Sequence, residues 1–589
     1  MYGQVPHQRV HGQRLHIYYS SIQFDDSNCL RAIIIGTKSI PVISFHNILR
    51  CTVVGVIVWG LWLGLKFFPE IRKFSVIPNV KLPFISQNHS SMSQDQPFAP
   101  NAEGADKNNS SVENDFGYRL NEINPLNDWF VCLDVNKIND LLRDPHLVGV
   151  RIVDHLPELG IVRFSVIDSK KAFPLLADFI ENDLLTNNQP LRQPLPLRDD
   201  EVTESMSFSN SFISWLGGSS DRDKLGRGVK IALLDSGIDS SHPALKGMAI
   251  IEKDFLQMHS SNEPLFKNGH GTALASVIAA QSESYVGIAP GAEILSYRVI
   301  DQTGKTDSFA VASAILSAVE DGADVINLSL GGHDGSELLR QAVNYAFENG
   351  VTVVAAVGND GLGLVNYPAT YDGVIGVTSV GASGRVSSFS NYGEGVDLAA
   401  PGVGVLVAGD SSTMMNMSGT SVSTAMVSGA VAMILAQQPN LTPSEIELLL
   451  QKFANESEKP GFDLYSGHGV LSLGRLENQN NPQYSDPAIT GYYFEHSMGA
   501  DVGTMPFEVM VQNQGNTWLG NLSLQVNYLG MEKTVRINNL APGELRAEKL
   551  YIQRSDFDEL LQISSQIHLP NEVIDSNEQN NKRSSIISF

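Results

Sequence analysis

Between residues 226 and 454 short, almost wholly apolar runs alternate with helical segments, and this alternation limits the fold more than any other feature of the chain. The run VKIALLDSG (229–237) reads as a strand covered on both faces, as in a parallel sheet. ADVINLSL (323–330), VTVVAAV (351–357) and VIGVTSV (374–380) are of the same kind. Helices are expected between them at about 270–280, 308–320, 337–349, 421–436 and 443–454. The pattern predicts a doubly wound α/β unit with a mostly parallel sheet. In such folds the working residues lie at the carboxyl ends of the strands.

At 589 residues the chain is too long for one core, so several domains are expected. A formal net charge of −24 argues against nucleic acid or an anionic surface as partner. The only cysteines are Cys29, Cys51 and Cys132, so neither a disulfide framework nor a CxxC metal site is available further on.

Residues 1–47 are polar, histidine-rich in places and show no readable pattern. Segment 48–68 contains CTVVGVIVWGLWLGL, uncharged and bounded by Arg50 and Lys66; with both cations snorkelling it is long enough to span a bilayer. A signal-peptide core or a buried helix would also suit the composition. The adopted reading is a single transmembrane anchor, because the run starts far from Met1 and no small-x-small cleavage site follows. Residues 69–128 read as a flexible, Ser/Asn/Asp/Gln-rich linker. Residues 129–200 begin as a small α+β unit, with strands at WFVCLDV, VGVRIVD and LGIVRFSVI and helices at KINDLLRD and SKKAFPLLADFIENDLL. They end in the proline-rich, extended TNNQPLRQPLPLRDD. Residues 485–589 look all-β, with FEVMVQN, LSLQVNYL, EKTVRIN and AEKLYIQ separated by turn residues, and predict a sandwich.

Three polar clusters interrupt the α/β region. Asp235 ends an apolar strand, His270 opens a helix between Gly269 and Gly271, and Ser421 stands in NMSGTSVSTAMVSGAVAMILA (416–436) at the first turn of an apolar helix. Each alone has a plainer role: a turn aspartate, a satisfied buried histidine, a helix cap. Together they supply a nucleophile, a base to take its proton and an acid to orient the base.

This ordered set resembles the subtilisin family of serine proteases, over residues 205–476. The resemblance implies an Asp235–His270–Ser421 triad that hydrolyses peptide bonds through an acyl-enzyme. Asn359, in VAAVGNDG (354–361), would share the oxyanion hole with the Ser421 N–H. Ser329, Leu330, Gly331 and Gly332 resemble the exposed strand that pairs with substrate backbone. Val357, Gly358 and Asn366 would help line the S1 pocket, Asn366 making it narrower and more polar. The chain departs from the family's common Met-Ala-Thr/Ser-Pro-His after the serine, carrying Val422-Ser423-Thr424-Ala425-Met426.

The resemblance also implies that residues 129–200 are a ferredoxin-like propeptide, an inhibitor and chaperone whose tail occupies the active site. Residues 485–589 resemble a CARDB-like domain at Val511–Asn516, Leu540–Glu544 and Glu578–Asn581. No cofactor is expected. A structural calcium ion is possible in this family, but the short 281–287 loop does not support one here. The expected partners are polypeptide substrates, the chain's own propeptide and, before maturation, a membrane through 48–68. The expected location is the bacterial cell envelope or outside, as a single-pass membrane precursor with its catalytic domain outside the cytoplasm. The rival expectation is a weak or inactive scaffold that binds or adheres through its C-terminal sandwich.

Overall fold

The computed structural model describes short strands within 9–36, then residues 129–132, 149–172, 179, 184–194, 208–256, 269–282, 285–457, 459, 461–494, 504–553, 560–570 and 572–588. The anchor segment 48–68, the linker 69–128 and the helix expected at KINDLLRD lie outside the described residues. In the N-terminal unit (1–106), where the sequence offered no pattern, His16–Gln23 and Cys29–Gly36 pair as an antiparallel hairpin.

The α/β region folds around seven parallel strands: β1 (Lys230–Asp235), β2 (Ile250–Asp254), β3 (Glu293–Arg298), β4 (Val325–Leu328), β5 (Thr352–Ala356), β6 (Val374–Val380) and β7 (Leu398–Pro401). Their spatial order is 2-3-1-4-5-6-7. The connection leaving β1 runs one way, to β2 at the edge, and every later connection runs the other way, so the loops leaving the neighbouring strands β1 and β4 diverge. The C-terminal end of such a strand opens into a crevice between diverging loops.

Helices α1 (His270–Ala279) and α4 (Thr420–Gln437) bury one face of the sheet, and α2 (Ser308–Glu320) and α3 (Glu337–Glu348) bury the other. Apolar side chains at every strand level explain why β1, β4, β5 and β6 show no alternation. Helix α4 is apolar all round and 89% buried. Among the described residues it is the one helix long and apolar enough to cross a membrane, but it is the core helix of this unit. Gly429 lets it approach closely: a Cβ there would stand 2.7 Å from Cβ of Ile288.

Ahead of this unit lies a four-stranded antiparallel sheet of Val150–Leu156, Ile161–Val166, Trp129–Cys132 and Leu185–Asn187, in that spatial order. The fourth strand corrects the reading of Leu185 as a helix end and Thr186 as the start of a linker: both pair with the edge of Trp129–Cys132. Of the helix expected over 169–185, residues 169–172 are helical, and most of the remainder lies outside the described residues.

The C-terminal region is all-β, with a three-stranded sheet facing a four-stranded one around Phe507, Leu524, Leu550 and Ile563. Pro487–Phe494, Leu560–His568 and Lys582–Ser588 join the four strands read from sequence.

Candidate active site

Asp235 is the last residue of β1, and its backbone oxygen accepts from the N–H groups of Val299 and Ile300, which fixes the strand end. Its Oδ1 accepts from the Ser236 N–H at 2.8 Å. His270 is the first residue of α1, behind Gly269 in the left-handed region (φ 65°). Its Nδ1 lies 2.8 and 2.9 Å from the two carboxylate oxygens of Asp235. A carboxylate in that position accepts, so Nδ1 carries the proton and Nε2 is the nitrogen able to take another. Both side chains are almost fully buried. Gly271 leaves room for this pair, since a Cβ there would meet the Gly237 carbonyl and stand 3.3 Å from Asp235 Oδ1.

Ser421 is the second residue of α4, so its N–H is among the first-turn groups that no helical carbonyl reaches. The plainer role of a helix cap does not fall to Ser421: the N-cap is Gly419 (φ 152°), and no side chain caps from that position. The Thr420 N–H and hydroxyl instead donate to Oδ1 of Asn359, at 2.9 and 2.8 Å. Those bonds fix which way the Asn359 amide faces, and a Cβ on Gly419 would stand 3.0 Å from its Nδ2. The Asn359 amide nitrogen and the head of α4 are thus neighbours. Two further contacts hold this head in place, Ser423 Oγ donating to the carbonyls of Ala400 and Pro401 and the Gly419 N–H donating to Gly402.

The sequence placed Ser329 and Leu330 on an exposed strand. Both are fully buried. Ser329 Oγ donates to the Ser421 carbonyl at 3.2 Å and receives the Asn327 amide at 3.0 Å, while Asn327 Oδ1 accepts from Ser428. This buried polar ladder joins β4 to α4. Gly331 and Gly332 each pair with another segment of the same chain. Gly332 pairs with Tyr367, and Gly331 exchanges reciprocal 2.9 Å bonds with Arg192 of the proline-rich segment. Pro190–Arg192 also pairs antiparallel with Lys305–Asp307, so this stretch lies as a strand between two edges. Antiparallel register two residues onward sets the buried Pro194 level with Ser329.

Val357, Gly358 and Asn366 cluster on the loop after β5, with Val357 and Asn366 buried. Gly358 has φ 110°, and a Cβ there would meet Asn366 Nδ2 at 2.6 Å, so a side chain is excluded twice over. Sequence reasoning missed Asn391. Its Oδ1 accepts from the N–H groups of Asp360 and Leu362, and its Nδ2 donates to the Val357 carbonyl. One amide thus pins the whole 357–362 turn; the only sequence signal was an asparagine before Tyr392-Gly393.

In the 281–287 loop, Gln281 Nε2 donates to the Pro290 carbonyl and Ser282 Oγ to the Tyr285 carbonyl. Among the described residues no three His, Cys, Asp or Glu side chains converge as metal ligands.

The parallel α/β sheet thus carries a hydrogen-bonded Asp–His pair at the end of β1 and a serine at the head of α4. Residues 226–469 match the subtilase family. The chain is 44% identical to thermitase of Thermoactinomyces vulgaris over 44% of its own length and 90% of that protein. It is 35% identical to subtilisin DY of Bacillus licheniformis over 42% and 90% respectively. Fervidolysin of Fervidobacterium pennivorans, a keratinolytic enzyme related to subtilisin, shares the fold with a TM-score of 0.51 at 20% identity, over 75% of this chain and 87% of that one. The chain belongs to the subtilase family and is a serine endopeptidase, with polypeptides as its substrates.

Proposed function

We propose that this chain is the precursor of an exported serine endopeptidase, and that Asp235, His270 and Ser421 form its triad. Ser421 Oγ attacks the scissile carbonyl carbon and passes its proton to His270 Nε2. Asp235 holds the imidazole by Nδ1 and stabilises the imidazolium. The oxyanion faces the Ser421 N–H and Asn359 Nδ2. Collapse breaks the C–N bond, with His270 returning the proton to the leaving amine, and leaves the acyl-enzyme. Water, deprotonated by the same nitrogen, then releases the acid. The four residues being present together speaks against a binding protein on an inactive scaffold with the C-terminal CARDB-like sandwich as its working part.

The observation that carries this reading is the strand Pro190–Arg192, held between Lys305–Asp307 and Gly331. A groove that binds extended backbone on both edges reads polypeptide largely without regard to sequence. In the precursor it is filled by the chain's own propeptide, residues 129–200, which folds against the catalytic unit and inhibits it. Segment 48–68 anchors this precursor, and a cut between 189 and 210 severs the anchor from the catalytic unit.

Cell fractionation followed by a blot against the C-terminal region tests the proposal. The wild type should yield a soluble fragment of about 380 to 400 residues, because the segment to be cut already lies extended along the catalytic unit as a strand. Ser421→Ala should stay full-length in the membrane. Active wild-type protein that remains full-length in the membrane would overturn the maturation scheme.

A further inference from the structure

The strand in the groove sends its side chains to opposite sides. Leu191, 3% exposed, joins the apolar core on the α2–α3 side of the sheet. A Cβ on Gly332 would stand 3.0 Å from its Cδ2, so the glycine makes room for it. Arg192 turns outward, and its Nη2 lies 3.0 Å from Oδ1 of Asp360, the residue after Asn359. The other oxygen of Asp360 lies 3.5 Å from Nε2 of His333.

Both ends of this ion pair are fixed through backbone. The Arg192 main chain is locked to Gly331 by two 2.9 Å bonds, and the Asp360 N–H is held by Asn391 at 3.0 Å. The register therefore decides which residue of any strand in the groove presents its side chain to Asp360. That residue is the one paired with Gly331, and its predecessor enters the Leu191 site.

We infer that Asp360 is a specificity-determining residue that selects lysine or arginine on the substrate residue whose backbone pairs with Gly331, directly after an apolar residue. In the precursor Arg192 fills this subsite, so the inhibitory strand carries the side chain that the groove prefers. The inference rests on the reading of this groove as the one that binds substrate.

The Arg192 and Asp360 side chains are 56% and 34% exposed, so the pair sets a preference and not an absolute requirement. An exposed pair of this kind supports a factor of about 3 in kcat/KM between arginine and alanine at the position. A glutamate placed there meets a like charge and falls below alanine. Molar salt should shrink these differences by screening.

The test uses the matured enzyme and four internally quenched peptides with Leu-Xaa-Gln in the frame of residues 191–193, where Xaa is Arg, Lys, Ala or Glu. The wild type should cleave the arginine and lysine peptides fastest and the glutamate peptide slowest. Asp360→Asn should flatten the series, and Asp360→Lys should invert it. Equal kcat/KM for all four peptides, or the wild-type order retained in Asp360→Lys, would overturn the assignment and leave the groove reading intact. Failure to cleave any of the four would overturn the groove reading, and this inference with it.

Discussion

Thr420 donates both its backbone N–H and its hydroxyl to one oxygen of Asn359, at 2.9 and 2.8 Å. Oδ1 of Asn359 thus caps the helix that carries Ser421, and the proposed mechanism gives Nδ2 a second duty, donating to the oxyanion. Asn359→Asp separates them, because aspartate keeps the acceptor and loses the donor. The expected result is a normally folded protein whose kcat falls by about 100- to 1,000-fold with little change in KM, since the bond strengthens only as charge develops. Asn359→Leu should add a loss of stability from the uncapped helix. A KM rise with unchanged kcat in Asn359→Asp would show that the amide acts on substrate binding alone.

The S1 reading predicts a change in substrate choice. Asn366 is buried, and its Nδ2 covers Gly358. Asn366→Gly should raise cleavage after Phe and Tyr relative to small residues in a peptide library. A wild-type profile already dominated by Phe and Tyr, unaltered in the variant, would contradict it.

Gly429 sets two effects against each other. Alanine is the better helix former by about 1 kcal/mol. Its Cβ, however, would stand 2.7 Å from Cβ of Ile288, whose N–H is bonded to Val277 and whose carbonyl accepts from Arg222. Ile288 cannot retreat, so overpacking wins and Gly429→Ala should lose about 1–3 kcal/mol in denaturant unfolding. A gain in stability would show that the helix shifts freely.

Asp486 gives the C-terminal region a pH dependence. Burial pushes its carboxyl up to about 6, against the pull of bonds from Asn580 and Tyr484, and the nearby Asp575 raises it further. The folded form therefore holds the proton more tightly than the unfolded chain. The stabilisation is fully present below about pH 4, is lost as pH rises through about 6, and amounts to about 3 kcal/mol. Relative to Asp486→Asn, which cannot titrate, the wild type should lose stability across that window. Parallel curves for the two proteins from pH 4 to 7 would contradict this.

The parts of the fold that could be read from sequence are those where one physical demand dominates. Strands β1, β4, β5 and β6 lie inside the sheet with both faces covered, so they are mostly apolar with no alternation. The strands at the sheet's edges were missed. β2 exposes Ile251–Asp254 and looks polar, and β7 is four residues long and ends on Pro401. β3 was missed because Arg298 and Tyr297 are buried on partners the sequence does not reveal: Asp254 at 3.1 Å and Asp321 at 2.5 Å. Asp235, His270 and Ser421 stood out because glycines and strand ends mark them. Asn391 acts on a turn about thirty residues away, and Ser329 is fully buried with its hydroxyl bonded to the Ser421 carbonyl, a contact between distant elements. Such roles depend on tertiary contacts that no local pattern encodes.

The central claim is that Ser421 is the activated nucleophile. The most direct measurement is labelling of the folded, processed protein with a fluorophosphonate, followed by peptide mapping of the adduct. One label per molecule on Ser421, abolished in Ser421→Ala and strongly reduced in His270→Ala, is the expected result. A folded, processed protein that takes no label at Ser421 would contradict the account.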